Sequence, residues 1–161
     1  MPSLALASGL ISVPIENKFI HVSVYSPDGW RVLIPDQPKL VLANPKLLTA
    51  ALLDSGNPKL KGEVRVLEKG QLDAATVFSA VAEQTLNARI AGADRIVGNQ
   101  DVGAFRVKYV DSAGNTYVEQ FVTAERFAVS ILVFMDRGHT PTDEKAVAAI
   151  LNASKVVIDR P

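Results

Sequence analysis

The chain has 161 residues, 48% of them apolar and 21% charged, the composition of a soluble globular protein large enough for one domain with a real core. Seventeen basic residues balance seventeen acidic ones with no block of like charge, so the electrostatic footprint of nucleic-acid or anionic-membrane binding is missing. Cysteine is absent, which excludes disulfides, thiolate metal sites and cysteine nucleophiles but leaves the compartment open, cytoplasmic or extracytoplasmic.

No apolar run approaches the roughly 18 residues of a transmembrane helix, so no membrane span is expected. Leu4 to Val13 is short, small and apolar, and Ala5-Leu6-Ala7 before Ser8 has the look of a signal-peptidase site. Nothing before Lys18 is basic, however, and a signal peptide starts basic. Residues 1–11 therefore read as a first strand, a plain leader or the remnant of a trimmed export signal. Ser12 to Ile15, closed by Pro14, reads as an edge strand. Phe19 to Tyr25 alternates, with Ile20, Val22 and Val24 on one side and Phe19, His21, Ser23 and Tyr25 on the other. Pro27-Asp28-Gly29 is a turn, and Trp30 to Ile34 is expected to return as the second strand of a hairpin, ended by Pro35-Asp36-Gln37-Pro38.

Leu40 to Ala43 reads as a strand. Asn44 then caps a short helix opened by Pro45 and running through Leu53, which Ser55-Gly56-Asn57-Pro58 stops. Glu63 to Leu67 reads as a strand. Asp73 begins the clearest helix, about 18 residues by its apolar spacing (Ala74, Val77, Phe78, Val81, Thr85, Ala88), with Gly92 at its end. Arg95 to Val97 adds a strand before Gly98-Asn99-Gln100-Asp101.

Ala104 to Met135 organises the chain. Three β-rich runs separated by Asp111 to Asn115 and by Ala124-Glu125-Arg126 make an antiparallel meander. The third, Phe127 to Met135, is apolar on both faces, as a strand covered on both sides must be. Thr140-Pro141-Thr142-Asp143 opens a last helix with a capping threonine and a carboxylate three residues on, buried through Ala146, Val147, Ile150 and Leu151. Lys155 to Ile158 ends the chain as a strand or an extended tail. The whole, residues 1–161, is one α+β domain: an antiparallel sheet with helices packed on its faces.

The run Tyr25-Ser26-Pro27-Asp28-Gly29-Trp30-Arg31-Val32 resembles the Tyr-x-Pro-x-Gly-Trp-x-Val turn near the start of PsbP-like proteins. These share a fold with the Ran-binding protein Mog1, with related bacterial lipoproteins and with chaperone-like proteins of type VI secretion. The order of elements over residues 12 to 158 is similar, including a Tyr-Val-Glu-Gln second strand in the meander. The resemblance implies a PsbP/Mog1-like α/β/α sandwich and non-enzymatic contact with another protein. The chain departs from the family in having no lipobox cysteine. Neither the acidic surface of the Ran-binding branch nor the metal positions suggested for the photosynthetic branch has a counterpart here.

Other constellations carry little chemistry. Asp136, His139 and Asp143 lie close in sequence and suit a borderline cation, but loop polarity explains them equally well, and neither a metal nor a cofactor is expected. No serine lies in Gly-x-Ser-x-Gly, and Gly98 to Gly103 lacks the Lys-Ser or Lys-Thr of a phosphate loop. Asp36 with Asp54, and Glu119 with Glu125, read as solvated carboxylates rather than an acid–base pair. Asn152-Ala153-Ser154 is a glycosylation sequon at a helix end.

Taken together, the chain reads as a non-enzymatic protein-binding or assembly module. Its partner-binding candidates are Trp30, Tyr25, Asp136, Arg137 and His139, with the loops Ser55 to Leu60, Gly98 to Gly103 and Arg137 to Pro141. Trp30 is either an anchor for a partner or a cap on the core. Edge strands left by an open sheet make a homodimer plausible. The alternative is a small apolar-ligand or lipid-binding module, with a cleft between the long helix and the sheet lined by Phe78, Phe121 and Phe134.

Overall fold

The structure, a computed structural model, describes residues 4–6, 9–34, 46–72, 76–77 and 103–159. In chain order the strands are β1 (Leu4–Leu6), β2 (Gly9–Ser12), β3 (Ile20–Ser26), β4 (Arg31–Ile34), β5 (Lys46–Asn57), β6 (Leu60–Glu68), β7 (Gly103–Val110), β8 (Thr116–Ala124), β9 (Phe127–Met135) and β10 (Lys155–Ile158). Among the described residues one complete helix, α1 (Pro141–Ala153), lies between β9 and β10. The strands form two sheets rather than one. A seven-stranded sheet runs β1-β4-β5-β6-β9-β8-β7, and a three-stranded sheet runs β10-β3-β2. Every pairing among the described residues is antiparallel.

The expected meander is β7-β8-β9, and β9 sits inside the large sheet with β6 on its other side. Its side chains alternate between two buried environments. Phe127, Val129, Ile131, Val133 and Met135 face the small sheet and belong to one core cluster with Val64 and Val66 of β6 and Ala51 and Leu53 of β5. The small sheet closes over them with Ile20, Val22 and Val24, and α1 adds Val147, Ile150 and Leu151. Strand alternation thus buries the even-numbered apolar side of β3, as its sequence pattern requires.

The Pro27–Gly29 turn exists, with the Trp30 amide donating to the Pro27 carbonyl at 3.0 Å and Gly29 at φ +84°. It does not make the expected hairpin. β3 pairs with β2 and β10, whereas β4 pairs with β1 and β5. The turn instead carries the chain from one sheet to the other, so that Val24 of β3 and Val32 of β4 both belong to the core between the sheets. Trp30 is 7% exposed and lies in that core. This takes it away from the role of an exposed partner anchor, because the turn points its ring between the sheets.

The helix expected through Leu53 is instead β5. Leucine and alanine favour a helix locally, but alternate residues of this run pair with β6 and bury on opposite faces. Ala51 is opposite Val64 and Leu53 opposite Gly62 on one face, while Ala50 is opposite Arg65 on the other. Burial on two faces outweighs a propensity difference of a few tenths of a kcal/mol per residue.

Helix α1 begins as its sequence specifies. The Thr140 hydroxyl accepts from the Asp143 amide at 3.2 Å, and the Asp143 carboxylate accepts from the Thr140 amide at 2.9 Å. Ser154 ends the helix and accepts the Tyr25 amide, tying it to β3. The Asn152 side chain accepts from Arg106, which also donates to Gln120, so α1 is held to the β7–β8 side of the sheet. Among the described residues, no helix is long and apolar enough to cross a membrane.

Residues 4–6 and 9–11, within the stretch read as leader or first strand, form β1 and most of β2, and the strand expected at Ser12 to Ile15 lies earlier, at Gly9 to Ser12. The strand at Leu40 to Ala43, the strand at Arg95 to Val97 and most of the helix from Asp73 lie outside the described residues. Thr76 and Val77 are helical, and Val77 is fully buried.

At Gly62 the sheet leaves no room for a side chain. A Cβ there would lie 2.9 Å from the Leu132 carbonyl oxygen and 3.0 Å from Leu53 Cδ1. The first neighbour is backbone and cannot give way cheaply. Gly62→Ala is expected to lower stability by about 1–3 kcal/mol, read as a shift of the urea midpoint with an unchanged slope.

Candidate functional site: a cavity at the loop end of the large sheet

Pairing register places side chains in transverse rows on the face of the large sheet that turns away from the small one. One row runs Leu33, Leu52, Glu63, Leu132, Glu119 across β4, β5, β6, β9 and β8. The row nearer the loops runs Arg31, Asp54, Lys61, Phe134, Tyr117. On the other side comes Ala50, Arg65, Ser130, Phe121.

Leu33, Leu52, Glu63 and Leu132 of the first row and Asp54, Lys61, Phe134 and Tyr117 of the second line a cavity of about 570 Å³. Leu33, Ala50, Leu52, Leu132 and Phe134 supply its apolar surface, and Asp54, Asn57, Lys61, Glu63 and Tyr117 its polar groups. Its size falls within the range of small-molecule sites, as does an apolar wall carrying a few polar groups.

The polar groups differ in how far they are engaged. Asp54 accepts from Arg31 at 2.7 Å and from the Gly56 amide at 2.8 Å. The Gly56 hydrogen bond, with Arg31 adding to it, holds the Asp54 carboxyl below the usual carboxylate range. Tyr117 donates to Asp111 at 3.1 Å. Burial first, and the Asp111 carboxylate second, push the Tyr117 phenol up to about 12, so it stays a neutral donor. Its ring meets Phe134 at a centroid distance of 5.3 Å, and the Lys61 ammonium lies 5.8 Å from the Phe134 centroid. Among the described residues Glu63 makes neither a hydrogen bond nor an ion pair.

Behind the cavity lies a buried polar chain. Arg65, fully buried, donates to the Ser130 hydroxyl at 3.1 Å, and Ser130 donates to Glu119 at 2.8 Å. Glu119 is therefore a buried network member, not the solvated carboxylate its sequence context suggests.

Three loops are locked together at the mouth end. The Asp136 amide donates to the Lys59 carbonyl at 2.9 Å, joining the β9–α1 loop to the β5–β6 tip. The Arg137 amide donates to the Asn115 side chain at 3.1 Å, joining the same loop to the β7–β8 turn. In that turn, burial works to raise Asp111, but hydrogen bonds from Asn115, Tyr117 and Ala113 outweigh it and hold the carboxyl low. His139 Nδ1 sits 2.8 Å from the Asp136 carbonyl and Nε2 sits 3.0 Å from Glu144. Among the described residues no cluster of three metal-ligating side chains is gathered.

The structure thus brings Asp136, Arg137 and His139 together with the Ser55-to-Leu60 loop. Tyr25 is elsewhere, half-buried on the small sheet. Phe134 lines the cavity, Phe121 is fully buried beside Ser130, and Phe78 lies outside the described residues, as do Gly98 to Val102. Sequence reasoning missed Leu33, Leu52, Glu63, Tyr117 and Leu132. The available signal was the alternation of Lys61, Glu63 and Arg65 with Gly62, Val64 and Val66, which reads as a wet face although Arg65 is fully buried and Glu63 half-buried on it.

No protein-family model and no curated protein sequence matches the chain. Among solved structures, it is similar to LpqN, a protein involved in cell envelope biogenesis of Mycobacterium tuberculosis. The TM-score is 0.51 at 14% identity, covering 96% of this chain and 91% of that one. A protein from Bacteroides thetaiotaomicron aligns with a TM-score of 0.42 at 8% identity, over 86% of this chain and 45% of that one, too distant to carry an argument. The likeness to LpqN is one of fold.

The loop lock has a pH signature. The Asp136 carbonyl, followed by Glu144, favours protonated His139 and raises its pKa above the ordinary histidine value. The stabilisation is full below the unfolded value of about 6.5 and is lost as pH rises through the raised folded value. Wild type should therefore lose stability as pH rises above about 6.5, and His139→Asn should flatten that slope in urea titrations.

Proposed function

We propose that this chain is a non-enzymatic binding module that holds a small apolar ligand in the cavity at the loop end of its large sheet. The observation that carries this reading is the pairing of a leucine and phenylalanine floor with a polar rim in about 570 Å³. The rim groups support binding rather than turnover. Asp54 is committed to Arg31 and Gly56, and Tyr117 to Asp111. The described lining holds no serine, threonine or histidine that would pair as nucleophile and base. The fold shared with LpqN suggests cell envelope biogenesis as its setting.

A protein partner is a second reading, favoured by the loop lock. Lys59, Asn115 and Asp136 present a polar surface whose backbone is already fixed, so docking there orders little new chain. The resemblance to PsbP/Mog1-like assembly proteins points the same way, and a homodimer would use one of the edges among the described strands, β1, β7, β2 or β10.

Thermal melting with a neutral alkyl alcohol tests the ligand reading. Decanol should raise the Tm of the wild-type chain, and Leu52→Arg, which fills the floor from a half-buried position, should melt normally but lose the shift. An unchanged wild-type Tm, or an equal shift in the variant, would overturn it.

A further inference from the structure

We infer that Glu63 makes this cavity selective for an aliphatic chain ending in a primary amine, against one ending in a carboxylate. The inference rests on the apolar-ligand reading and adds the head group.

Glu63 occupies the centre of the floor. Its directly opposite neighbours are Leu52 on β5 and Leu132 on β9, so the carboxylate is flanked by leucine on both sides. Along β6, the residues on the same face are Lys61 and Arg65. Arg65 is turned to Ser130, which passes the hydrogen bond on to Glu119. Lys61 is exposed and reaches over the Phe134 ring at the rim. Asp54, the other lining carboxylate, is held by Arg31. Glu63 is thus the half-buried charged group of the lining that makes no hydrogen bond or ion pair among the described residues.

A half-buried carboxylate between leucines is incompletely hydrated, and a ligand donor would restore what water cannot supply. An alkyl ammonium brings three such donors and opposite charge, while its chain covers Leu33, Leu52 and Leu132. A carboxylate head brings acceptors only and repels Glu63 in the same half-shielded space. Lys61 would favour the opposite order. Its ammonium is solvated at the rim, where screening weakens it most. The two residues therefore predict opposite preferences, and binding decides between them.

Calorimetric titration of the full chain with decylamine, decanoate and decanol, each below its micelle concentration at about pH 7.5, keeps the amine cationic and the acid ionised. Decylamine should bind about tenfold tighter than decanoate, the scale of one charge-assisted hydrogen bond. Glu63→Gln should abolish the preference for decylamine over decanoate, and an unchanged melting temperature certifies that the variant is folded. Decanoate binding as tightly as decylamine, or an amine preference that survives Glu63→Gln, would overturn the inference. Decanol binding without an amine preference would do so while leaving the apolar-ligand reading intact. Binding of none of the three would remove both.

Discussion

The structure depends on β9 being buried on both sides. It pairs with β6 and β8 through nine consecutive residues each, and every side chain from Phe127 to Val133 is buried. Fixing a backbone residue costs about 1–2 kcal/mol, and fully burying an aliphatic or phenylalanine side chain returns about 1.5–3 kcal/mol. A strand covered on one face meets that cost at only half its positions. Covered on both, it gains at nearly all of them, so β9 can hold the sheet together. The condition is that each face of the sheet must have a cover, which on one side is the small sheet with α1.

The two faces are not chemically equal. Toward the small sheet the register brings only aliphatic and aromatic groups together over the middle of β5, β6 and β9. On the opposite face it places Arg65, Ser130 and Glu119 in adjoining rows. Buried charges are poor sources of net stability, because desolvation consumes most of their attraction. Their physical effect here is on register. A one-residue slip of β9 against β6 or β8 would move Ser130 to the aliphatic face and separate Arg65 from Glu119 in a low-dielectric interior. The hydrogen-bonded chain across three strands makes that slip costly, where an all-valine face would tolerate it more easily.

The meander, the apolar third strand, the capping box at Thr140 and the closing strand at Lys155 were legible in the sequence, because each is specified by residues near one another. The β5 strand was not. Its run of leucine and alanine satisfies a helix locally, and only pairing with Leu60–Glu68 decides otherwise. The Pro27–Gly29 turn was correctly read as a turn but assigned to a hairpin. Turn chemistry fixes a change of direction and says nothing of which strand receives the chain, so one sheet was expected where there are two. Trp30 follows from the same choice, since a link between sheets directs its ring into the core. The cavity was partly legible: Phe134 was expected to line a pocket, but Leu52 and Glu63 enter it through pairings invisible along the chain.

The position of the cavity follows from these rows. Where Phe121, Ala128 and Ser130 lie, the outer face offers small or fully buried groups that a cover can meet closely. One row nearer the loops, Glu63 interrupts the leucines, and an apolar cover laid over it would strand a carboxylate without water or partner. In the last row, Phe134 and Tyr117 pack against each other at a tilt of 60°, with the Tyr117 hydroxyl drawn off to Asp111. Close packing of the outer face is therefore disfavoured at Glu63. The space left there is bounded by leucine on the inside and by Asn57 and Pro58 of the β5–β6 tip at its loop end. A cavity formed in this way depends on side chains at a few register positions rather than on the fold, so sharing a fold with LpqN at 14% identity leaves its chemistry to those positions.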